Sequence, residues 1–247
     1  GENLVIDDLT IVVVWYKKNQ LDEFMKNINR QRNIRIKIIT LDNSKNSFVG
    51  AREAFNSVIK EIDTKYVAFS HPDVNFEKED EMENMLHYIK NLNNIGIVGI
   101  AGCKEGRAWE ILSNITHGSN KSKAGREIKN VEIVQTVDEC LFFLETKTLI
   151  EHPFSDIKGW HMYAVEQCLE LETQGYTNYV PSNVWHRSAG NSLDPSYVVT
   201  LKRIIKKYSN KYKYINTTVK QWKTRGIGPL IYREYYYFKQ LIKRKIK

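Results

Sequence analysis

Residues 66–76 read YVAFSHPDVNF, and the fold turns on how they are read. Tyr66, Val67, Ala68 and Phe69 form a strand-forming run that halts at Ser70-His71-Pro72-Asp73. Pro72 cannot donate to a sheet ladder, and it biases His71 away from helix. The strand ends there, leaving an imidazole and a carboxylate at its carboxyl edge. In open α/β sheets this edge is where ligands bind. Asp and His also supply the oxygen and nitrogen donors that suit Mn2+ or a similar divalent ion. Taken alone, the tetrapeptide reads more simply as a polar turn, so its surroundings decide.

Those surroundings alternate between two periods. Upstream, Leu9 to Trp15 (LTIVVVW) is the continuous apolar run of a strand buried on both faces. Asn19 is placed to cap a helix carrying Leu21, Phe24, Met25 and Ile28, and Arg35 to Leu41 alternates as a second strand. A helical pattern over Ala51–Ile62 leads into the strand at Tyr66. Downstream come a helix over Glu79–Asn91 and a strand over Ile95–Ala101. Strands separated by helices of this length predict βαβ units and a mostly parallel sheet, an α/β fold.

The pattern then loosens. Lys104 to Asn130 has no clear periodicity and reads as a flap or insertion around Trp109-Ile111-Leu112. Val131 to Glu145 is a strand pair or one long strand broken near Asp138-Glu139, and a helical turn spans Thr146–Glu151. An amphipathic helix runs from His161 to Thr173 with Gly175 as its C-cap, followed by a strand over Tyr176–Val180. Val184 to Gly190 reads as a polar loop, and Asp194-Pro195 opens another helix.

Composition bounds the rest. The 247 residues are 42% hydrophobic and 27% charged, ordinary for a globular protein large enough to bury a sizeable core. Cys103, Cys140 and Cys168 are widely spaced and odd in number, which fits a reducing compartment rather than a disulfide framework. No run approaches the roughly 20 apolar residues of a membrane span. The GENLVIDDL start lacks the layout of a signal peptide, so a cytoplasmic setting is expected. The net charge of +8 hides an asymmetry: residues 201–247 hold 15 Lys/Arg against Glu234 alone, a net of +14, which leaves −6 for residues 1–200. A catalytic domain over 1–193 and a basic, aromatic-rich helical extension over 194–247 are expected.

The ordered pieces carry a resemblance. VVVWY (Val12–Tyr16), LDNS (Leu41–Ser44), AREAFN (Ala51–Asn56), VAFSHPDV (Val67–Val74) and IVGIAG (Ile97–Gly102) stand in sequence. VDECLFF (Val137–Phe143), FSDIKGWHMYAVEQCLELETQGY (Phe154–Tyr176) and VWHRSAG (Val184–Gly190) follow. Together, over about residues 10–190, they are similar to family-2 glycosyltransferases of the GT-A fold, in a bacterial branch whose central motif is F-x-H-x-D-V. The resemblance implies an inverting, metal-dependent enzyme that moves a hexosyl or deoxyhexosyl unit from a UDP- or dTDP-sugar to a surface glycan, lipid-linked or protein-linked acceptor.

The same resemblance implies roles. Tyr16 offers the base an aromatic face and Asp42 accepts from a base N–H, with Asn43 and Ser44 beside it. Arg52 and Asn56 lie on the helix that approaches ribose and phosphates, although Arg52 read alone is equally a surface charge. Asp73 is the principal ligand of Mn2+ or Mg2+, completed by His186, and His71 lies near the donor. Trp160 and His161 fall on the acceptor side. A divalent metal would act as a Lewis acid on the departing diphosphate. The chain departs from the family at its acidic pair, where H-x-Y-D-x-D is replaced by His161-Met162-Tyr163-Ala164-Val165-Glu166. Glu166 is then the expected general base, with Asp138 as rival base or sugar contact.

In the tail, Tyr208, Tyr212, Tyr214, Trp222, Tyr232, Tyr235–Tyr237 and Phe238 interleave with Lys and Arg. That composition suits an anionic membrane surface or single-stranded nucleic acid, and equally a helical lid with solvated lysines. A membrane surface fits best beside a transferase, and nucleic acid is not expected. Ala164 keeps open a catalytically weak sugar-nucleotide-binding module.

Overall fold

A computed structural model describes residues 9–183, 185–187 and 194–246. The first half builds β1 (Leu9–Trp15), α1 (Lys18–Asn29), β2 (Ile36–Asp42), α2 (Ala51–Ser57), β3 (Tyr66–Ser70), β4 (Val74–Phe76), α3 (Glu81–Lys90) and β5 (Ile95–Gly99). Short strands follow: β6 (Ala101–Cys103), β7 (Ile111–Ser113), β8 (Ile115–His117), β9 (Ser122–Lys123), β10 (Val131–Val134) and β11 (Thr136–Val137). Then come β12 (Leu141–Glu145), α4 (Thr146–Glu151), α5 (Tyr163–Thr173), β13 (Thr177–Pro181) and β14 (Trp185–Arg187). The chain closes with α6 (Pro195–Tyr208), β15 (Tyr214–Asn216), β16 (Gln221–Lys223) and α7 (Ile227–Ile246).

The fold is α/β. Its main sheet has seven strands in the order β10-β13-β5-β12-β3-β1-β2. Strands β2, β1, β3, β5 and β13 run one way, while β12 and β10 oppose them. The period-2 alternation of β1 explains the layering: Leu9, Ile11 and Val13 face one core with α1 and α3, and Val12 and Val14 face another with α2 and α5. Strand β3 divides likewise, Tyr66 and Ala68 to the first core, Val67 and Phe69 to the second. Burial on both faces is why these strands read as unbroken apolar runs.

Strand β12 sets the position of the site. Because it runs antiparallel to β3, pairing Leu141 with Ser70, its beginning lies where β3 ends. The His71 N–H donates to the Cys140 carbonyl at 2.8 Å, so the turn containing Asp138 and Glu139 is held against the His71–Asp73 turn.

Several local expectations are corrected. Helix α1 starts at Lys18, so Asn19 lies inside it, and α5 starts at Tyr163 rather than His161. The α5 entry is Met162 in the left-handed region (φ 59°), a turn that His161 precedes. The stretch 104–130 is not without regular structure: β7, β8 and β9 join two small sheets, β11-β6-β7 and β4-β14-β8-β9. The expected polar loop at 184–190 contains β14, whose Trp185 is fully buried against Phe76 at 5.1 Å between ring centroids. Residues 184 and 188–190 of that loop lie outside the described residues. Asp194 caps α6 as expected, accepting from the Ser196 N–H at 2.7 Å.

A third core joins the carboxyl-terminal segment to the body. Met162, Val165 and Leu169 pack with Tyr197, Val198, Leu201 and Ile204 of α6, and with Tyr212, Ile215 and Trp222 around the β15–β16 hairpin. Trp109 ties the insertion to the same hairpin by donating to the Thr217 carbonyl at 2.9 Å.

Candidate active site

At the carboxyl edge of β1 and β3 lies a cavity of about 390 Å3. Tyr16 from the end of β1, His71 and Asp73 after β3, Asp138 and Glu139 before β12, and Trp160 to Tyr163 entering α5 all line it. Arg187 of β14 and Thr217 to Val219 of the β15–β16 turn complete the wall. An edge that gathers loops from parallel strands is where this topology places ligands.

Tyr16 and Trp160 sit together at one end, edge to face at 5.5 Å, and Tyr16 stays 44% exposed, so an aromatic surface is open to a planar ligand. The entry loop is pinned by close approach: the Ala51 N–H donates to the Gly159 carbonyl at 3.1 Å. A Cβ on Gly50 would stand 2.4 Å from that same oxygen, so only glycine lets α2 begin there.

At the other end a polar chain runs through His71. Arg187 donates through Nε to Asp73 Oδ2 at 2.9 Å and through Nη2 to His71 Nδ1 at 3.1 Å. A guanidinium only donates, so Nδ1 is the acceptor and the His71 proton sits on Nε2, 2.8 Å from the Tyr163 hydroxyl. That hydroxyl in turn donates to the Glu139 carbonyl at 3.3 Å. Burial, reinforced by the charge of Arg187, holds the His71 imidazole down to about 4, so the ring is neutral near pH 7.

The carboxylates behave differently from one another. Burial pushes Asp138 upward, but the Arg187 charge and hydrogen bonds outweigh it, and its carboxyl lies below the usual range. Those bonds come from the Cys140 N–H at 2.9 Å and the Thr218 hydroxyl at 2.6 Å. Glu139 goes the other way: burial, then the adjacent Asp138 charge, push it up to about 8.

The remaining expected residues lie elsewhere. Arg52 and Glu166 are both buried, Arg52 Nε donating to Glu166 Oε2 at 2.7 Å, and neither lines the cavity. Ser155 also donates to Glu166 Oε2, at 2.9 Å. Arg52 further ties down the carbonyls of His161 (3.2 Å) and Met162 (3.0 Å). Asn56 exchanges hydrogen bonds with the Phe154 backbone at 2.8 and 3.1 Å. Asp42 is exposed at the end of β2, accepting from the Ser44 N–H at 2.8 Å. Asn43 is buried and accepts from the Phe48 N–H at 2.9 Å. His161 is mostly buried at the cavity wall, 3.6 Å from Asp194.

Asp73 and His186 are not brought together about an ion. His186 Nδ1 pairs with the Thr116 hydroxyl at 2.9 Å and the ring is not in the cavity wall, while Asp73 Oδ2 is taken by Arg187. Adjacent residues of a strand face opposite ways, so β14 presents either His186 or Arg187 to the site, and it presents Arg187. Among the described residues no three His, Cys, Asp or Glu side chains are grouped to hold a metal ion. As arranged, this donor set does not fit a divalent cation. Arg187 and Glu139 are the residues that sequence reasoning missed. The alternation Trp185-in, His186-out, Arg187-in would have found the first, and the second was legible only once β12 was known to run antiparallel.

A family described as glycosyltransferase-like matches residues 11–208. The chain belongs to that glycosyltransferase-like family. No curated protein matches the sequence. Among solved structures, the family member is similar to the mannosyltransferase PcManGT of Pyrobaculum calidifontis, in complex with GDP-Man and Mn2+. The TM-score is 0.58 at 13% identity over 95% of this chain and 72% of that one. It is also similar to residues 1–349 of S. aureus TarS in complex with UDP-GlcNAc, with a TM-score of 0.55 at 12% identity, covering 82% and 67% of the two chains. These likenesses show a GT-A-like fold.

Proposed function

We propose that this glycosyltransferase-family chain transfers a hexosyl or deoxyhexosyl unit, with inversion, from a nucleotide-sugar donor to a surface-glycan acceptor. The observation that carries the reading is the cavity itself. An open aromatic end at Tyr16 and Trp160 and a polar end, where Arg187 is paired with Asp73, meet at the carboxyl edge of the parallel strands. The base stacks at the first and the diphosphate lies toward the second. In the transfer, the acceptor hydroxyl oxygen forms a bond to the anomeric carbon. The bond from that carbon to the β-phosphate oxygen breaks, and its electron pair leaves on the diphosphate. The hydroxyl proton passes to a carboxylate at the cavity.

Arg187 provides the positive charge that the departing diphosphate requires, as a planar donor matched to phosphate oxygens. Asp73 and His71 orient it. Asp138, kept anionic, binds donor or acceptor hydroxyls. The GDP-Man and UDP-GlcNAc complexes of the structural neighbours support a nucleotide-sugar donor.

The outward face of α7 supports a lipid-linked acceptor. On α7, Ile227 (77% exposed), Ile231 (62%), Tyr235 (58%), Phe238 (58%) and Ile242 (59%) recur at helical spacing. Gln240 and Arg233 are buried on the opposite face, so the apolar stripe is turned outward. Lys239 and Lys243 are exposed beside it. An apolar stripe flanked by cations fits an anionic membrane, which would carry a lipid-linked acceptor. No described helix is long and apolar enough to cross a membrane.

The reading is tested by incubating the protein with UDP-, dTDP- and GDP-sugars and following donor breakdown by NMR. Slow consumption of one donor supports the transferase. Binding without consumption supports the alternative, a catalytically weak binding module. No binding of any donor removes both.

A further inference from the structure

We propose that Glu139 is the general base of the transfer, a role that falls to it because Glu166 is spent on Arg52. The proposal rests on the transferase reading above and names the proton acceptor within it. Glu139 lies in the cavity wall at the turn between β11 and β12. Its Oε1 is enclosed and has no hydrogen-bond partner among the described residues. The backbone N–H groups of Tyr163 and Ala164, the first two residues of α5, act on the carboxyl group and lower it. Ala164 leaves that helix start with only a methyl group, and Glu139 supplies a carboxylate to it from the sheet edge.

The alternatives are committed. Asp73 accepts from Arg187, Asp138 accepts from Thr218 and Cys140, and Glu166 accepts from Arg52 and Ser155. Glu139 lies in the wall with an enclosed oxygen that accepts no hydrogen bond among the described residues, whereas Asp73 is ion-paired with Arg187 and Asp138 accepts at both oxygens. In the step, the O–H bond of the acceptor breaks and its proton moves to the Glu139 carboxylate. The oxygen's electron pair makes the new glycosidic bond, and the old C–O pair departs with the diphosphate.

The groups that bear on its ionisation are Asp138 beside it, Arg52 behind it, and the buried phenols of Tyr163 and Tyr197. Burial and Asp138 raise the carboxyl, whereas Arg52 and the two α5 amides lower it, and the balance sets it at about 8. A base poised there is strong when ionised and becomes more populated as pH rises.

The test uses water as acceptor with UDP-N-acetylglucosamine, UDP-glucose, UDP-galactose, dTDP-glucose and GDP-mannose as probes, on the full chain and on Glu139→Gln and Glu139→Asp. For the accepted donor, the wild-type rate should climb with pH and level off above about 8. Glu139→Gln should lose roughly 100-fold or more of that rate. It should keep its calorimetric affinity for the matching nucleoside diphosphate, and Glu139→Asp should retain part of the rate. A Gln variant with unchanged rate and pH profile overturns the proposal while leaving the transferase reading intact. A variant that loses nucleotide binding in step with rate also overturns it. A wild-type protein that binds and cleaves none of the donors overturns the transferase reading with it.

Discussion

Arg52 and Glu166, 114 positions apart, form an ion pair at 2.7 Å with side chains only 1% and 4% exposed. The pair fastens α2 to α5, and through the His161 and Met162 carbonyls Arg52 also fixes the left-handed entry to α5. A base must be free to take a proton from substrate. Held this way, Glu166 lies outside the cavity wall with Oε2 taken by Arg52.

Removing either partner leaves an uncompensated buried charge, which costs about 3–5 kcal/mol. Arg52→Ala and Glu166→Ala should each lower the unfolding free energy by that amount, seen as a lower denaturant midpoint at unchanged m-value. Nucleotide affinity of the fraction that stays folded should be preserved. A Glu166→Ala protein that is stable and selectively inactive would return Glu166 to the chemistry.

Glu139 ties stability to pH. Its folded carboxyl titrates near 8, above the ordinary glutamate value, so between the two the folded chain holds a proton that the unfolded chain has released. Its contribution is therefore fully present below the unfolded value and is lost as pH rises through about 8. Glu139→Gln cannot release a proton. Urea melts at pH 5 and pH 9 should show the Gln variant gaining stability relative to wild type at the higher pH. A constant difference between the two would contradict the burial of this carboxyl.

The outward stripe of α7 predicts sedimentation with vesicles of phosphatidylglycerol and phosphatidylcholine but weakly with phosphatidylcholine alone. Each cation near the surface contributes about 1 kcal/mol, so Lys239→Glu with Lys243→Glu should weaken binding by roughly 10-fold or more, as should raised salt. Ile231→Ser with Phe238→Ser should release the protein irrespective of salt. Self-association that these last substitutions abolish, with no vesicle binding, would assign the face to a second copy instead.

How much of this was legible in the sequence follows from which interactions are local. The strands at Leu9, Tyr66 and Ile95 announced themselves because burial on both faces leaves a continuous apolar run. The turn after Phe69 was legible because Pro72 stops a ladder wherever it falls. Aromatic Tyr16 and the Asp138 turn were found through motif order, and both line the cavity. The fate of Arg52 and Glu166 was not legible: each is an ordinary helix residue until α2 and α5 meet. The choice between His186 and Arg187 depends on a three-residue strand whose partner, β4, is distant in sequence, Arg187 pairing with Val74. Glu139 gave no signal of its own, since its environment is made by the first turn of α5.

The proposed diphosphate site rests on the Arg187 guanidinium. Calorimetric titration of UDP, dTDP and GDP, first in EDTA and then in Mn2+, into wild type and Arg187→Ala measures it. Charge-assisted contacts of about 1.5–3 kcal/mol predict that one nucleotide binds in EDTA and that Arg187→Ala weakens it roughly 10- to 100-fold, with Arg187→Lys intermediate. Binding that appears only with Mn2+ and is indifferent to Arg187 would contradict the assignment of the diphosphate to this guanidinium. Absence of binding under every condition would contradict the nucleotide-sugar site itself.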